Sequence, residues 1–480
     1  MKRLLYVKTN PFGLFGLVGI AVSLYTLYML PDRPGLELYP LLPITWSICV
    51  FVFQDIIPYH KNGMGLKFFY ATTVFRYLII PVLTCLAGDV SSPYGYFGAD
   101  AYRYAIVMQS VELFICAATI KVSYEPYYYQ VAQNVHEKNF CYDDISIGSL
   151  LLICGGIGLI VIRGVDKLLK TMRFGIVSAA LDQDSMYGYD IWLAHTLMAV
   201  VVIVVIGKAQ KNNDRKKSIK NIVLPIISVG LSCLLIFGNN RMMIVYFALS
   251  GLATLFIAFP EKKKLISATI LPIMVVVLVS FTMVKQFRTD LRPETSIDIA
   301  ETQEALTAYL TGTESIAKTY FLYGINGHRM SVLTFFSDIA NKTTILGLPG
   351  FNRILGLFKN VPTSYKLAMI GSEIIPVAGQ TLFYGGYLFG WLLDIAAYIV
   401  LMRLLCHFEI KGKLARRSGD VYLYTWCSLI LGMSMCYSLS VIYNGFAYVP
   451  FFLMISLNII RNIRFYKAKI RGTDLNKITE

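Results

Sequence analysis

Apolar residues come in unbroken runs separated by short polar stretches. The runs fall at about 11–30, 39–58, 68–87, 101–121, 145–163, 190–207, 222–238, 242–259, 265–284, 377–406, 420–441 and 445–460. A helix needs about 20 apolar residues to cross the hydrocarbon core of a bilayer, and in that core only helices and closed barrels satisfy their own backbone. The apolar residues do not alternate with polar ones, which excludes the strands of a barrel. The pattern therefore predicts an all-α, polytopic integral membrane protein with about 12 transmembrane helices, forming a single membrane domain over 1–480. The first run follows Met1-Lys2-Arg3 and has no small-residue cleavage site after Leu30, so it reads as a retained helix and not as a signal peptide.

One interval breaks the pattern, the long connection 285–376. A structureless stretch of that length is rare, so the interval is expected to fold into an extracytoplasmic cap. Within it, Ser296 to Leu310 reads as a helix, with Thr295 and Asp298 at capping-box spacing. Met330, Leu333, Phe336 and Ile339 recur at the spacing of a helix lying on the membrane surface. Gly324-Ile325-Asn326-Gly327 reads as a glycine-rich turn. The interval carries nine bases and eight acids, so it is mixed and nearly neutral, as a functional loop would be.

Composition agrees with the pattern: 56% of the residues are hydrophobic and 15% charged, against roughly 25% charged in a soluble domain. The net charge of +15 reflects cytoplasmic loops and not a nucleic-acid surface. With the N-terminus inside, the inner loops hold 27 Lys and Arg and the short outer loops six. This predicts both termini in the cytoplasm and the 285–376 loop outside. The nine cysteines form no C-x-x-C pair, and only Cys141 lies outside an apolar run, so they read as small core hydrophobes. Five scattered histidines suggest no metal site, and no cofactor is expected.

The candidate chemistry lies on the expected outer side. Gly238-Asn239-Asn240-Arg241 is a polar turn at the start of an inward-running helix. There Arg241, with Asn240, can hold a lipid-linked phosphate bidentately at a helix N-terminus. His328 and Arg329 follow the glycine-rich turn, and Arg353 sits in Gly350-Phe351-Asn352-Arg353. These are groups for a diphosphate, with His328 a candidate base. Lys285 and Arg288 emerge at the top of a span and serve either the site or anchoring. Asp182-Gln183-Asp184 has the D-x-D spacing of a divalent-cation site but reads more simply as a turn. Inside the spans, Arg76 and Glu112 are expected to pair on adjacent helices; Asp394 and His195 are the other ionisable residues there, with Asp55 near a span end.

The turn at Arg241 between two helices, one further span, the long outer loop and then Gln380-Thr381-Leu382-Phe383-Tyr384-Gly385-Gly386 together resemble the Wzy-type O-antigen and capsule repeat-unit polymerases. The likeness covers about 222–460 and rests on layout, including a polar outer turn at Tyr443-Asn444-Gly445. It implies a GT-C-like enzyme at the outer face of the cytoplasmic membrane that joins oligosaccharide units carried on polyprenyl diphosphate, without nucleotide sugar or metal. The partners implied are the lipid-linked oligosaccharide, the bilayer and a chain-length regulator, with no nucleic acid. Outer arginines would hold the anionic carriers, a role that carries over to Arg241 and then to Arg329 and Arg353. Many members carry an acid just before the glycines, where this chain has Tyr384. The base is therefore open among His328, Glu373 and Asp338. A lipid-linked oligosaccharide flippase or other transporter, or an O-antigen ligase, are the rival readings. A transporter usually shows two similar halves, and this chain has none.

Overall fold

A computed structural model describes residues 12–53, 63–89, 96–134, 143, 145–164, 188–235, 242–289, 299–310, 312–326, 335–336, 338–339 and 375–476. Among these every regular element is a helix. In chain order they are α1 (Phe12–Tyr28), α2 (Leu41–Val52), α3 (Met64–Ala87), α4 (Ala99–Asn134), α5 (Ile147–Arg163), α6 (Gly188–Arg215), α7 (Lys220–Leu234), α8 (Met242–Ala258) and α9 (Lys263–Thr289). Then follow α10 (Ile299–Leu310), α11 (Thr313–Asn326), α12 (Val377–Leu414), α13 (Ser418–Gly432), α14 (Leu439–Ala447) and α15 (Val449–Asn476).

The described residues of each of the twelve apolar runs lie largely on helix, but fewer of the helices are long enough to cross a bilayer. Among the described residues five helices qualify: α3, the first part of α4, most of α6, α12, and Leu439–Asn462 across α14 and α15. A sixth is added if α8 and Pro260–Val276, bent by 118°, count as one broken span. The helices α1, α2, α5 and α7 are apolar but shorter. The 12 residues of α2 rise only about 18 Å, against roughly 30 Å of hydrocarbon. Many exposed side chains on these helices are large and apolar, such as Ile162 at 81% and Val122 at 70% exposure. Water would penalise such surfaces and lipid does not.

Two expected turns are helical. Gly324–Asn326 form the last turn of α11, and Tyr443-Asn444-Gly445 lies within α14. The break instead falls at 433–438, because the Ser438 hydroxyl accepts the Val441 N–H at 3.3 Å and starts α14 there. Gly445 stays helical where it packs against Ile430.

The contacts divide the chain into two compact units, each built from separate stretches. The first takes residues 1–132, 295–409 and 428–445. In it α1 packs on α2, both pack on α3, and α10 packs on the second half of α3. Trp46 Nε1 donates to Thr73 Oγ1 at 3.1 Å, and Glu409 Oε1 accepts the Gly65 and Leu66 N–H groups at 2.7 and 3.2 Å, capping the start of α3. Mid-helix, α3 opens into a π-helical turn at Phe75–Ile79, closed by the Ile80 N–H on the Phe75 carbonyl. The cause is local: Pro81 has no N–H for the carbonyl one turn back, so the helix widens just before it. The second unit takes 133–294, 410–427 and 446–480. There α5 to α9 pack in sequence, and α15 closes on α5 and α6. Trp426 meets Phe247 edge-on at 4.9 Å, and Asp143 joins Gly419 N–H at 2.9 Å to Arg461 at 3.5 Å.

Candidate functional site

The site begins with glycines. In α12, Gly386 has φ 72° and ψ −169°, a conformation essentially confined to glycine. The chain folds back there: a Cβ on Gly385 would lie 2.6 Å from Gly390 N, and one on Gly390 would lie 2.9 Å from Leu382 Cα. Thr381 Oγ1 consequently donates to Asp394 Oδ1 at 3.3 Å, although the two are 13 residues apart. On a straight helix that separation would be about 20 Å. The span expected at 377–406 is thus a short helical arm turned back on a long helix.

The arm carries Gln380 into a buried polar cluster of the first unit. Gln380 Nε2 donates to Asp338 Oδ2 at 2.7 Å and to Ser440 Oγ at 2.9 Å, while its Oε1 accepts the Leu439 N–H at 2.8 Å. The Ser440 hydroxyl also donates to Asp338 Oδ2, at 3.3 Å. All three side chains are buried, Asp338 to 6% exposure and the other two completely. The Tyr384 hydroxyl lies beside the Asp338 carboxyl. Phe335, Ile375, Phe383 and Tyr384 form the apolar wall. A carboxylate held by donors inside an apolar shell can accept a proton at a fixed place.

The apolar spacing of Met330, Leu333, Phe336 and Ile339 predicts a helix lying on the membrane surface. Of that stripe, Phe336 is 59% exposed and Ile339 packs against the apolar wall. Phe335 and Asp338 are buried. In lipid an apolar stripe marks the outside as readily as the core, and the cluster's hydrogen bonds draw Asp338 inward.

Beyond the Gly386 bend stands a group of rings in the same unit. Tyr387 lies 4.5 Å from Tyr320 and 4.9 Å from Tyr323, ring centre to ring centre. Tyr104 lies 5.1 Å from Tyr320 and 5.5 Å from Trp391. The Tyr104 hydroxyl donates to the Tyr387 carbonyl at 3.1 Å, and the Tyr323 hydroxyl sits against Gly386, where a Cβ has no room.

Deeper in this unit, Arg76 and Glu112 form the expected pair. Arg76 Nη1 donates to Glu112 Oε1 at 2.6 Å and Nη2 to Oε2 at 3.3 Å, with both side chains fully buried. The Tyr398 hydroxyl donates to Glu112 Oε1 at 2.7 Å, and Tyr398 stands one turn after Asp394 on α12. The π-helical turn of α3 supplies Arg76. Near the start of α4 Arg103 holds Glu37 at 3.0 Å, and Arg33 holds Asp89 at 2.6 Å. Hydrogen bonding to Arg103 pulls the Glu37 carboxyl down to about 2.

Of the residues singled out by sequence, Asp338 is brought into the cluster. Asn240, Arg241, His328, Arg329, Arg353, Glu373, Asp182 and Asp184 lie outside the described residues, and Lys285 and Arg288 are described only as backbone of α9. Sequence reasoning does not single out Gln380, Ser440 or Thr381 as site residues. A signal for them is present: two polar residues opening an apolar run, followed by Gly385, Gly386 and Gly390, mark a span that bends and lines a cavity. No family model, curated protein or solved structure matches the chain.

Proposed function

We propose that the chain is a membrane glycosyltransferase that polymerises oligosaccharide repeat units carried on polyprenyl diphosphate, at the outer face of the cytoplasmic membrane. The observation that carries the reading is the Asp338–Gln380–Ser440 cluster. It draws together the long loop, the start of the tenth apolar run and the end of the eleventh, all expected outside from loop charge. In this reading Asp338 is the base, and it occupies the neighbourhood of Tyr384, the position where the resembling family carries an acid.

The chemistry follows. An acceptor sugar hydroxyl gives its proton to the Asp338 carboxylate as its oxygen bonds to C1 of the donor's first sugar. The bond from C1 to the diphosphate oxygen breaks, and the electron pair leaves with polyprenyl diphosphate. Gln380 and Ser440 fix the carboxylate, and a positioned base is worth about 10²–10⁴-fold. The outer cations, Arg241 first and then Arg329 and Arg353, would stabilise the departing diphosphate; one such preorganised group contributes roughly 2.7–4 kcal/mol.

A transporter reading has one observation in its favour, the buried Arg76–Glu112 pair with Asp394 nearby on the same helix as Tyr398. Purified chain in detergent separates the two, because without a membrane there are no sides to transport between. Incubated with lipid-linked repeat unit and a chelator, it should give a ladder of longer glycans on the lipid carrier. Unchanged single units would sink the polymerase reading, and transfer only to a non-carrier acceptor would favour the ligase.

A further inference from the structure

We infer that the rings of Tyr104, Tyr320, Tyr323, Tyr387 and Trp391 form a saccharide-binding platform beside the Asp338 cluster, taking the sugar rings of the growing or incoming glycan; the inference rests on the polymerase reading for the kind of ligand. Aromatic side chains at a membrane surface often stand singly in a belt, each body in lipid and each polar tip in water. These five differ. They come from α4, α11 and α12 and pack on one another with centres 4.5 to 5.5 Å apart. The Tyr104 hydroxyl is spent on a backbone carbonyl of the platform itself, and Tyr323 is locked over Gly386. Tyr387, at the centre, remains 41% exposed.

Such a surface offers ring faces edged with hydroxyls. The faces suit the C–H sides of a pyranose, and the edges suit its hydroxyl groups. The position also fits. Tyr384 in the polar cluster and Tyr387 on the platform are three residues apart across the bend, so their backbones lie within about 11 Å, the reach of a short oligosaccharide. The bend at Gly386 thus brings Tyr384, which lies beside the Asp338 carboxyl, and the Tyr387 stacking surface to one turn.

The test uses the full chain in detergent and, as probe, the oligosaccharide released by mild acid from the lipid-linked precursor of the strain that carries the protein. Titration should give a saturable change in tryptophan fluorescence that Trp391→Phe abolishes. Tyr387→Leu and Tyr320→Leu keep apolar bulk without a ring and should weaken binding about tenfold, whereas Tyr387→Phe and Tyr320→Phe keep the ring, lose only the hydroxyl and should weaken binding less than the Leu variants. With the lipid-linked precursor the Leu variants should raise KM more than they lower the single-turnover rate. No fluorescence change in the wild type, or equal affinity in the Leu variants, overturns the platform. If those variants also polymerise normally, the platform alone is wrong and the polymerase reading stands. Saturable binding without any ladder keeps the platform and removes the polymerase reading.

Discussion

Breaking the Arg76–Glu112 pair should cost far more than deleting it. Both side chains are fully buried, and Glu112 accepts from Arg76 twice and from Tyr398 once. Glu112→Gln leaves a guanidinium without its counter-charge, and arginine does not shed its proton, so the cost should be about 3–5 kcal/mol. Arg76→Met leaves a carboxyl that can be neutralised and should cost less. Tyr398→Phe removes one interhelical hydrogen bond, worth about 0.6–1.7 kcal/mol in membrane proteins. The double variant Arg76→Met/Glu112→Leu removes both charges at similar volume and should return to within about 1–2 kcal/mol of wild type. Unfolding of the purified chain by dodecyl sulfate in mixed micelles, followed by circular dichroism, gives these differences. A double variant as unstable as Glu112→Gln would show that the site demands these side chains for packing and not for charge balance.

Gly386→Ala should cost about 1–3 kcal/mol for the backbone conformation alone, with a further loss from the collision at Tyr323. The same assay should find Gly155→Ala neutral or slightly stabilising, since nothing lies within 4 Å of a Cβ there; equal behaviour of the two would refute the bend. Glu409→Ala strips two N–H groups at the start of α3 of their acceptor and should lower stability by about 1–3 kcal/mol. Glu37, held down to about 2 from a usual 4.5, should stabilise the fold fully above pH 4.5. That contribution should fade as pH falls towards 2, and salt should weaken it at every pH. Wild type and Glu37→Gln should therefore converge in stability at acid pH, and a gap unchanged down to pH 2 would contradict the Arg103 pairing.

The helices are legible in the sequence because period and composition are local. Among the described residues every apolar run reappears largely as helix, and Arg76 can be paired with Glu112 because two opposite charges inside spans have few other partners. Length is less legible. Within the run at 39–58 α2 ends at Val52, within 222–238 α7 ends at Leu234, and 420–441 breaks at 433–438, where Ser438 starts a new helix. Asp338 can be named as a candidate but not placed. Its burial depends on Gln380 and Ser440, 42 and 102 residues away, and no period within one segment encodes that meeting. The bend at Gly386 is visible as a pair of glycines, yet its consequence, Thr381 reaching Asp394, follows only from the folded path. The aromatic platform is hidden for the same reason, because its rings lie on three helices far apart in sequence.

The most direct test of the account is single-turnover polymerisation by Asp338→Asn. Asparagine keeps an oxygen for the Gln380 and Ser440 donors, so the cluster should survive while the base is lost. With purified protein and lipid-linked repeat unit at saturating concentration, the rate of forming the first dimeric glycan should fall about 10²–10⁴-fold, with binding of the released oligosaccharide unchanged. Gln380→Ala, which frees the carboxylate from its place, should show a smaller fall. A folded Asp338→Asn variant that joins repeat units at the wild-type rate would contradict the assignment of Asp338 as the base.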